Sequence, residues 1–214
     1  MASGLWSRLT WSRALFVVFL LSVAWAVSLF LAPFTIPPGT FANEVGGANT
    51  LDHGDIWARL PPYAMAVYAF GDIQCHQLYY RSFWLNGNQM PIDARMTSMY
   101  VFAVFGLLAA AFAAPSASIG GVMVNGLPAR WRPFLARMGM ERAAALILVV
   151  GLLPMAIDGF TQLLTPYEST NLMRVLTGAF AGFVGGLLVG AMLVSMRQFS
   201  VEVQTLRAQT SPPP

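Results

Sequence analysis

Of the 214 residues in the chain, 57% are apolar and 10% are charged, whereas about a quarter of the residues of a soluble domain are charged. The formal charge of +3 comes from twelve arginines and no lysine. They are spread thinly, without the basic patch that is typical of nucleic-acid binding proteins. Cys75 is the single cysteine, so an internal disulfide is excluded and cysteine usage does not indicate the redox compartment.

Four apolar stretches are long enough to cross a hydrocarbon core of about 30 Å, which takes roughly 20 helical residues. They predict an all-α integral membrane protein with about four transmembrane helices. The stretches run from about Ala14 to Ala32, Thr97 to Ala114, Ala143 to Ile157, and Val175 to Met196.

The first stretch also has features of a signal peptide, because Arg8 and Arg13 precede it. However, it exceeds the usual apolar region of about 7–15 residues, and no convincing small-x-small cleavage site follows it. We therefore favour an uncleaved anchor and keep the signal peptide as the alternative.

The segment between the first two stretches is rich in proline and glycine, which predicts irregular structure. Within it, Tyr63 to Ile73 is apolar but short, which favours a half-helix or an interfacial helix. The chain is thus divided into an N-terminus with the first anchor (1–33), an extracytoplasmic loop (34–73), a membrane domain with three spans (74–196) and a polar tail (197–214).

Arginine placement predicts the orientation, since loops rich in arginine stay in the cytoplasm. Both ends of the chain and the Ser116–Arg142 loop carry most of the arginines, while Pro33–Pro91 is acidic. This pattern predicts a multi-pass protein of the plasma membrane with cytoplasmic termini.

The fourth stretch has a glycine at every fourth position, which puts these residues on one stripe of the helix. Such stripes allow another backbone to approach closely. The glycines predict packing within the monomer, with a homodimer interface as the alternative: Gly178, Gly182, Gly186 and Gly190.

Three segments are predicted to bring polar side chains to one membrane level on the outer side. Ionisable groups at such a boundary are costly and often mark functional sites. The predicted cluster contains Cys75, His76, Arg81, Gln89, Asp93, Arg95, Asp158, Gln162, Glu168, Asn171 and Arg174.

Several members of this cluster also have a structural interpretation. Asp93, Glu168 and Ser169 precede apolar runs, where they would cap helices. Asp158 ends a span, where the helix dipole disfavours an anion. We therefore expect an ion pair of Asp158 with Arg174 or Arg95.

A metal is the second interpretation of the cluster. Cys75, His76 and Asp93 are residue types that bind zinc, and Met90 or Met96 would add soft donors for copper. A single Cys-His pair is weak evidence for either metal. Catalysis by a Cys75 nucleophile is disfavoured, because the neighbouring His76 is poorly placed to act as its base.

The same positions resemble a family of small prokaryotic membrane proteins known as domain of unknown function twenty eighty-five. The resemblance covers about Gln74 to Gly190 and rests on widely separated motifs. The matching residues are Cys75-His76-Gln77, Arg81-Ser82-Phe83, Asn86-Gly87, Gln89, Pro91, Ala94-Arg95, Thr97, Tyr100, Pro154, Ala156, Asp158-Gly159, Thr161-Gln162, Glu168-Ser169, Asn171, Arg174 and Thr177-Gly178.

The chain departs from this family at one motif. Typical members carry Cys-x-x-Cys, which together with Cys-His implies a four-ligand, zinc-like site. Asp93 and Met96 occupy those two positions here. The resemblance therefore implies a fold and a set of important positions. It implies at most a modified metal site, and it does not indicate an activity, because none is established for the family.

Three functions remain open from the sequence. The favoured one is a non-catalytic subunit or assembly partner of a membrane complex. The second is a membrane enzyme or metal/redox protein with an outward-facing site. The third is a small transporter that uses Asp158 and Arg174 as coupled charges, although no inverted repeat is evident.

Overall fold

The computed structural model describes residues 5–47 and 49–210. The regular secondary structure of these residues is helical except for one short hairpin, and turns and loops connect the helices. The helices are α1 (Leu5–Thr10), α2 (Arg13–Leu31), α3 (Gly54–Trp57), α4 (Pro62–Gln74), α5 (Ala94–Phe112), α6 (Ile119–Gly126), α7 (Arg132–Arg137), α8 (Met140–Leu164) and α9 (Asn171–Thr210). An antiparallel hairpin pairs β1 (Trp84–Leu85) with β2 (Asn88–Gln89), and 3-10 turns occupy Ala32–Thr35 and Tyr79–Arg81.

Within the described residues, four helical segments are long and apolar enough to cross a membrane. This confirms the predicted all-α membrane fold, and α4 is the short helix expected before the second span. The four segments are Arg13–Thr35, Ala94–Phe112, Met140–Leu164 and Asn171–Gln209.

The third and fourth helices are longer than their apolar runs. The sequence predicts that the third ends near Ile157, but α8 continues past Pro154 to Leu164, and α9 continues past Met196 to Thr210. Hydropathy indicates where lipid contact ends, and a helix persists beyond that point wherever its backbone hydrogen bonds remain satisfied. The extension of α8 carries Asp158 and Gln162 on a regular helix.

The chain forms two compact units. The first contains Met1–Leu21, Ala103–Leu153 and Phe183–Pro214, and the second contains Ser22–Phe102 and Pro154–Gly182. The core of the first unit is aliphatic, built from residues such as Leu15, Leu107 and Leu187, which are almost fully buried.

In the proline-rich segment after the first span, residues 36–47 and 49–53 form no helix or strand, as the sequence predicted. The segment nevertheless contributes buried side chains to the second unit. Phe41, Trp57 and Tyr68 pack against one another, with ring centroids 4.8–5.4 Å apart, and all three are buried. Proline and glycine indicate the chain reversals of this segment correctly, but they do not reveal its packing, which comes from contacts between residues far apart in sequence. The hairpin turns at Asn86 and Gly87, both with positive φ, as a tight turn between two strands requires.

The glycine stripe of α9 lies against α5 of the same chain. In the second unit, a Cβ added at Gly182 would lie under 3.0 Å from the Met99 backbone. In the first unit, the same holds for Gly186 and the Ala103 backbone. Gly178 and Gly190 also face α5, so the four glycines allow two helix backbones to approach closely.

Candidate functional site

Most of the predicted polar residues meet within the second unit, at the N-termini of α5 and α9 and the C-terminus of α8. Two short loops, before α5 and before α9, complete this region. Ion pairs join its ionisable residues in two groups, Arg95 with Asp158, and Arg81, Glu168, Arg174 and Asp93, and Ser169 contacts both groups. We call these residues the charge network: Arg81, Asp93, Arg95, Asp158, Glu168 and Arg174.

Asp158 is 6% exposed and is paired with Arg95. The Arg95 guanidinium donates to one carboxylate oxygen, which also accepts from the Ser169 hydroxyl at 2.8 Å. The other oxygen accepts from the Tyr167 hydroxyl at 3.3 Å. Of the two partners that the sequence predicted, Arg95 and not Arg174 thus forms the ion pair. A buried carboxylate is tolerated when it is both paired and hydrogen-bonded in this way.

Arg174 is 2% exposed and is held by four groups. Its Nη2 donates to Glu168 at 2.6 Å and to Gln162 at 3.0 Å, and its Nε donates to the Ser169 carbonyl at 3.1 Å. The Asp93 carboxylate lies 3.9 Å from Nη1. These contacts fix the guanidinium in one orientation.

Glu168 links the two sides of the charge network. It accepts from Arg174 on one oxygen and from Arg81 at 2.8 Å on the other. Burial raises the pKa of Glu168, but the hydrogen bonds and charges of Arg81 and Arg174 outweigh it, and the net pKa lies below the usual value. Glu168 is therefore an ionised bridge between a loop and a helix.

Two of the predicted helix caps are absent. Ser169 donates to Asp158 and Glu168 binds arginines, while Thr170 accepts from the Met173 amide at the start of α9. The prediction was wrong because Thr170 is itself a capping residue and lies nearer to the helix start. Asp93 does cap α5, accepting from the Met96 amide at 2.7 Å.

The charge network contains three arginines and three acids, so its formal charge is zero. Three buried polar atoms around it have no hydrogen-bond partner among the described residues: Arg81 Nε, Arg95 Nε and Asn171 Oδ1. Buried polar atoms are normally satisfied by protein or by ordered water. These atoms mark the places where water or a polar group from outside the chain would bind.

The side chains of Cys75 and His76 have different surroundings. Cys75 is buried in an apolar cluster with Leu29, Met90 and Ile92, whereas His76 is exposed. Burial, together with the Asp93 charge, raises the pKa of the Cys75 thiol to about 11. A buried thiol with a raised pKa is inert rather than nucleophilic.

The residues present do not fit the zinc-like site that the resemblance implies. Asp93 is engaged by the Met96 amide and Arg174, and its own amide donates to the Cys75 sulfur at 3.4 Å. No group of three or more His, Cys, Asp or Glu side chains converges in residues 5–47 and 49–210. The softer donors proposed for copper, Cys75, Met90 and Met96, do belong to one apolar cluster.

Gln89 belongs to a different set of contacts. It is fully buried, donates to the Gln77 carbonyl and accepts from the Glu44 amide at 3.2 Å. The Tyr68 hydroxyl donates to its carbonyl at 2.9 Å. Gln89 thus joins the hairpin to the proline-rich segment at Glu44 and does not contribute to the charge network.

A second polar centre, around Asp72, was not predicted from the sequence. Asp72 is fully buried and accepts from the Trp57 indole at 2.8 Å and from the His53 amide at 3.1 Å. The His53 ring lies 3.5 Å from Asp72 and 3.6 Å from Glu44. The sequence feature that could have indicated this centre is an aspartate within the short apolar α4, since a buried carboxylate requires hydrogen-bond partners.

The helices and the charge network define a polytopic α-helical membrane protein with a polar centre in which arginines and acidic residues balance in charge. The chain belongs to the family described as predicted membrane protein (DUF2085), whose model matches residues 75–188. This confirms the resemblance seen in the sequence, and the matched segment contains the whole charge network.

Two archaeal proteins are similar to this chain. One is an uncharacterized protein of Methanocaldococcus jannaschii, 29% identical over 157 residues, which cover 73% of this chain and 78% of the relative. The other is an uncharacterized protein of Methanothermobacter thermautotrophicus, 30% identical over 108 residues, covering 50% and 77% respectively. No solved structure matches the chain.

Proposed function

We propose that this protein is a non-catalytic subunit or assembly partner of a membrane complex, and that its loop around Arg81 docks the partner. The observation that carries the proposal is the way the charge network holds this loop. The Arg81 guanidinium binds Glu168, which also binds the buried Arg174 at the start of α9. These ion pairs therefore hold the loop around Arg81 in position.

The loop presents an aromatic surface. Four aromatic side chains on either side of Arg81 are 37–49% exposed, and we call them the aromatic loop: Tyr79, Tyr80, Phe83 and Trp84. Protein interfaces are enriched in tyrosine, tryptophan and arginine. A loop that holds these side chains in place before binding loses little conformational entropy when a partner docks.

The ionisable groups of the site also favour a non-catalytic role. Asp158 and Arg174 are engaged by other groups of the protein, and the Cys75 thiol is buried with a raised pKa. A general base or nucleophile needs a reactive atom that can reach a substrate. Asp158 and Arg174 also form separate ion pairs, which disfavours a transporter that couples these two charges directly.

The proposal is tested by co-purification from native membranes in mild detergent. We expect a stoichiometric partner with the wild-type chain, and at least about a tenfold loss of it with Tyr80→Ala and Trp84→Ala combined, since interface aromatics often contribute 2 kcal/mol or more. Phe34→Ala is the matched control, because Phe34 is an exposed aromatic outside this loop. Recovery of a monomer without partner, even after cross-linking in the membrane, would contradict the proposal.

The metal hypothesis has its own test. Elemental analysis of detergent-purified protein, with and without Cys75→Ala, measures zinc and copper in both samples. A stoichiometric metal that is lost in the variant would replace the assembly role with a metal or redox role. Equal background amounts in both samples would end the metal hypothesis.

We further propose that the first unit lies at the cytoplasmic face of the plasma membrane, with both termini inside. The first unit carries eight arginines and two acids, whereas the second carries four arginines and seven acids. Arginine-rich segments stay on the cytoplasmic side. The aromatic loop, which lies in the chain between the first and second spans, would then be outside the cytoplasm.

A further inference from the structure

The first unit contains a cavity of about 700 Å³ between the α1–α2 junction and the last part of α9. This volume lies within the range of small-molecule sites, about 300–1,000 Å³. Two arginines, Arg13 and Arg197, line the cavity, and none of its lining residues is acidic. The cavity is therefore suited to an anion.

Both arginines are available to a ligand. Their side chains are exposed, and neither forms a hydrogen bond or ion pair with another residue in the described part of the chain. The first turn of α2, at Arg13 and Ala14, also lines the cavity. Ser12 accepts from the following amides of Leu15 and Phe16, so the first two N–H groups of α2 remain for an anion.

The remaining walls of the cavity are amphipathic. Trp11, Leu193 and Met196 supply apolar surface beside the two guanidinium groups. Arg13 immediately precedes the apolar run of α2, and Arg197 immediately follows the apolar run of α9. The arginines are therefore expected at the level where the hydrocarbon core meets the lipid headgroups, a level at which tryptophans such as Trp11 are also enriched.

We propose that this cavity binds the phosphate of an anionic phospholipid, with Arg13 and Arg197 contacting the headgroup and the apolar wall contacting the start of an acyl chain. Basic pockets between transmembrane helices bind lipid headgroups in this way. A free phosphate ion shares the phosphate chemistry but would gain nothing from the apolar wall. The proposal does not depend on the partner proposed above, because it concerns the other unit.

The test is a titration of the full-length, detergent-purified chain, followed by native mass spectrometry. The probes are phosphatidylglycerol, phosphatidylcholine and inorganic phosphate. We expect phosphatidylglycerol to bind best, and its affinity to fall about fivefold for Arg13→Gln, about fivefold for Arg197→Gln and about twentyfold or more for both, since each arginine near a lipid surface contributes about this much.

The control is Arg137→Gln, which removes the same charge from the end of α7, outside the cavity. Its affinity for phosphatidylglycerol should equal that of the wild type, and thermal unfolding checks that each variant remains folded. Equal weakening by Arg137→Gln would show that net charge alone attracts the lipid. Equal binding of phosphatidylcholine, or preferred binding of inorganic phosphate, would also overturn the lipid assignment.

Discussion

Asp158 and Arg95 illustrate how a buried charge is stabilised in this protein. The Asp158 side chain is 5% exposed and that of Arg95 is 16% exposed, so both have lost most of their hydration. Removing one partner from such a pair leaves an unpaired buried charge, whereas removing both leaves none. The two residues should therefore behave as one energetic unit.

We predict that Arg95→Gln lowers the free energy of unfolding by about 3 kcal/mol, because Asp158 then keeps its charge without a cation. Adding Asp158→Asn should recover a large part of this loss. The measurement is thermal unfolding in detergent of the two single variants and the double variant. Strictly additive effects would show that the pair is not coupled.

The loop residue Glu168 leads to a prediction about pH. Because its pKa in the folded protein lies below the usual value of 4.5, its ionised form contributes stability above pH 4.5, and this contribution is lost as the pH falls through the folded pKa. Unfolding followed from neutral pH downwards should therefore show a decline below about pH 4.5 that is shallower in Glu168→Gln. Identical slopes for the two proteins would assign the decline to other carboxylates.

At the scale of elements, α9 approaches α5 closely because glycines, which have no side chain, line the face of α9 that contacts α5. The glycines at positions 178, 182, 186 and 190 recur at the helical period, and each faces α5. Gly185 lies in the same helix but has open space where its Cβ would be. This difference provides a matched pair of positions within one turn.

We predict that Gly186→Ala lowers the free energy of unfolding by about 1–3 kcal/mol, because the new methyl group would overlap the Ala103 backbone. Gly185→Ala should be neutral or stabilise α9 by up to about 1 kcal/mol, since alanine favours helix more than glycine does. Thermal unfolding of both variants measures the difference. Equal effects would mean that α5 and α9 are not in backbone contact at this level.

At the scale of the whole molecule, the two units differ in charge. The formal charge is +6 for the first unit and −3 for the second, which together give the +3 of the chain. The asymmetry follows the sequence closely, because both chain ends and the loop between the second and third spans belong to the first unit. It is the basis of the proposed orientation.

We predict that a fluorescent protein fused to the C-terminus matures and that alkaline phosphatase at the same position is inactive, because both reporters would be cytoplasmic. Phosphatase inserted in the loop at Ala42–Asn43 should be active. The reporter activities in whole cells provide the measurement. An active phosphatase at the C-terminus would reverse the proposed orientation.

The sequence by itself determined the spans and the short helix before the second span, because apolar runs of sufficient length have one stable environment. It also identified the polar positions, since charges near lipid are conspicuous in a chain with so few. It did not determine where helices end beyond the lipid level, as α8 and α9 show.

Only the tertiary structure decided which charges meet. Asp158 pairs with Arg95 rather than Arg174, and the proline-rich loop is ordered around Trp57 and a buried Asp72. In each case the partners lie 15 to 63 residues apart. Hydropathy and helical period describe one segment at a time, whereas the choice among several nearby counter-charges depends on how helices are positioned against each other.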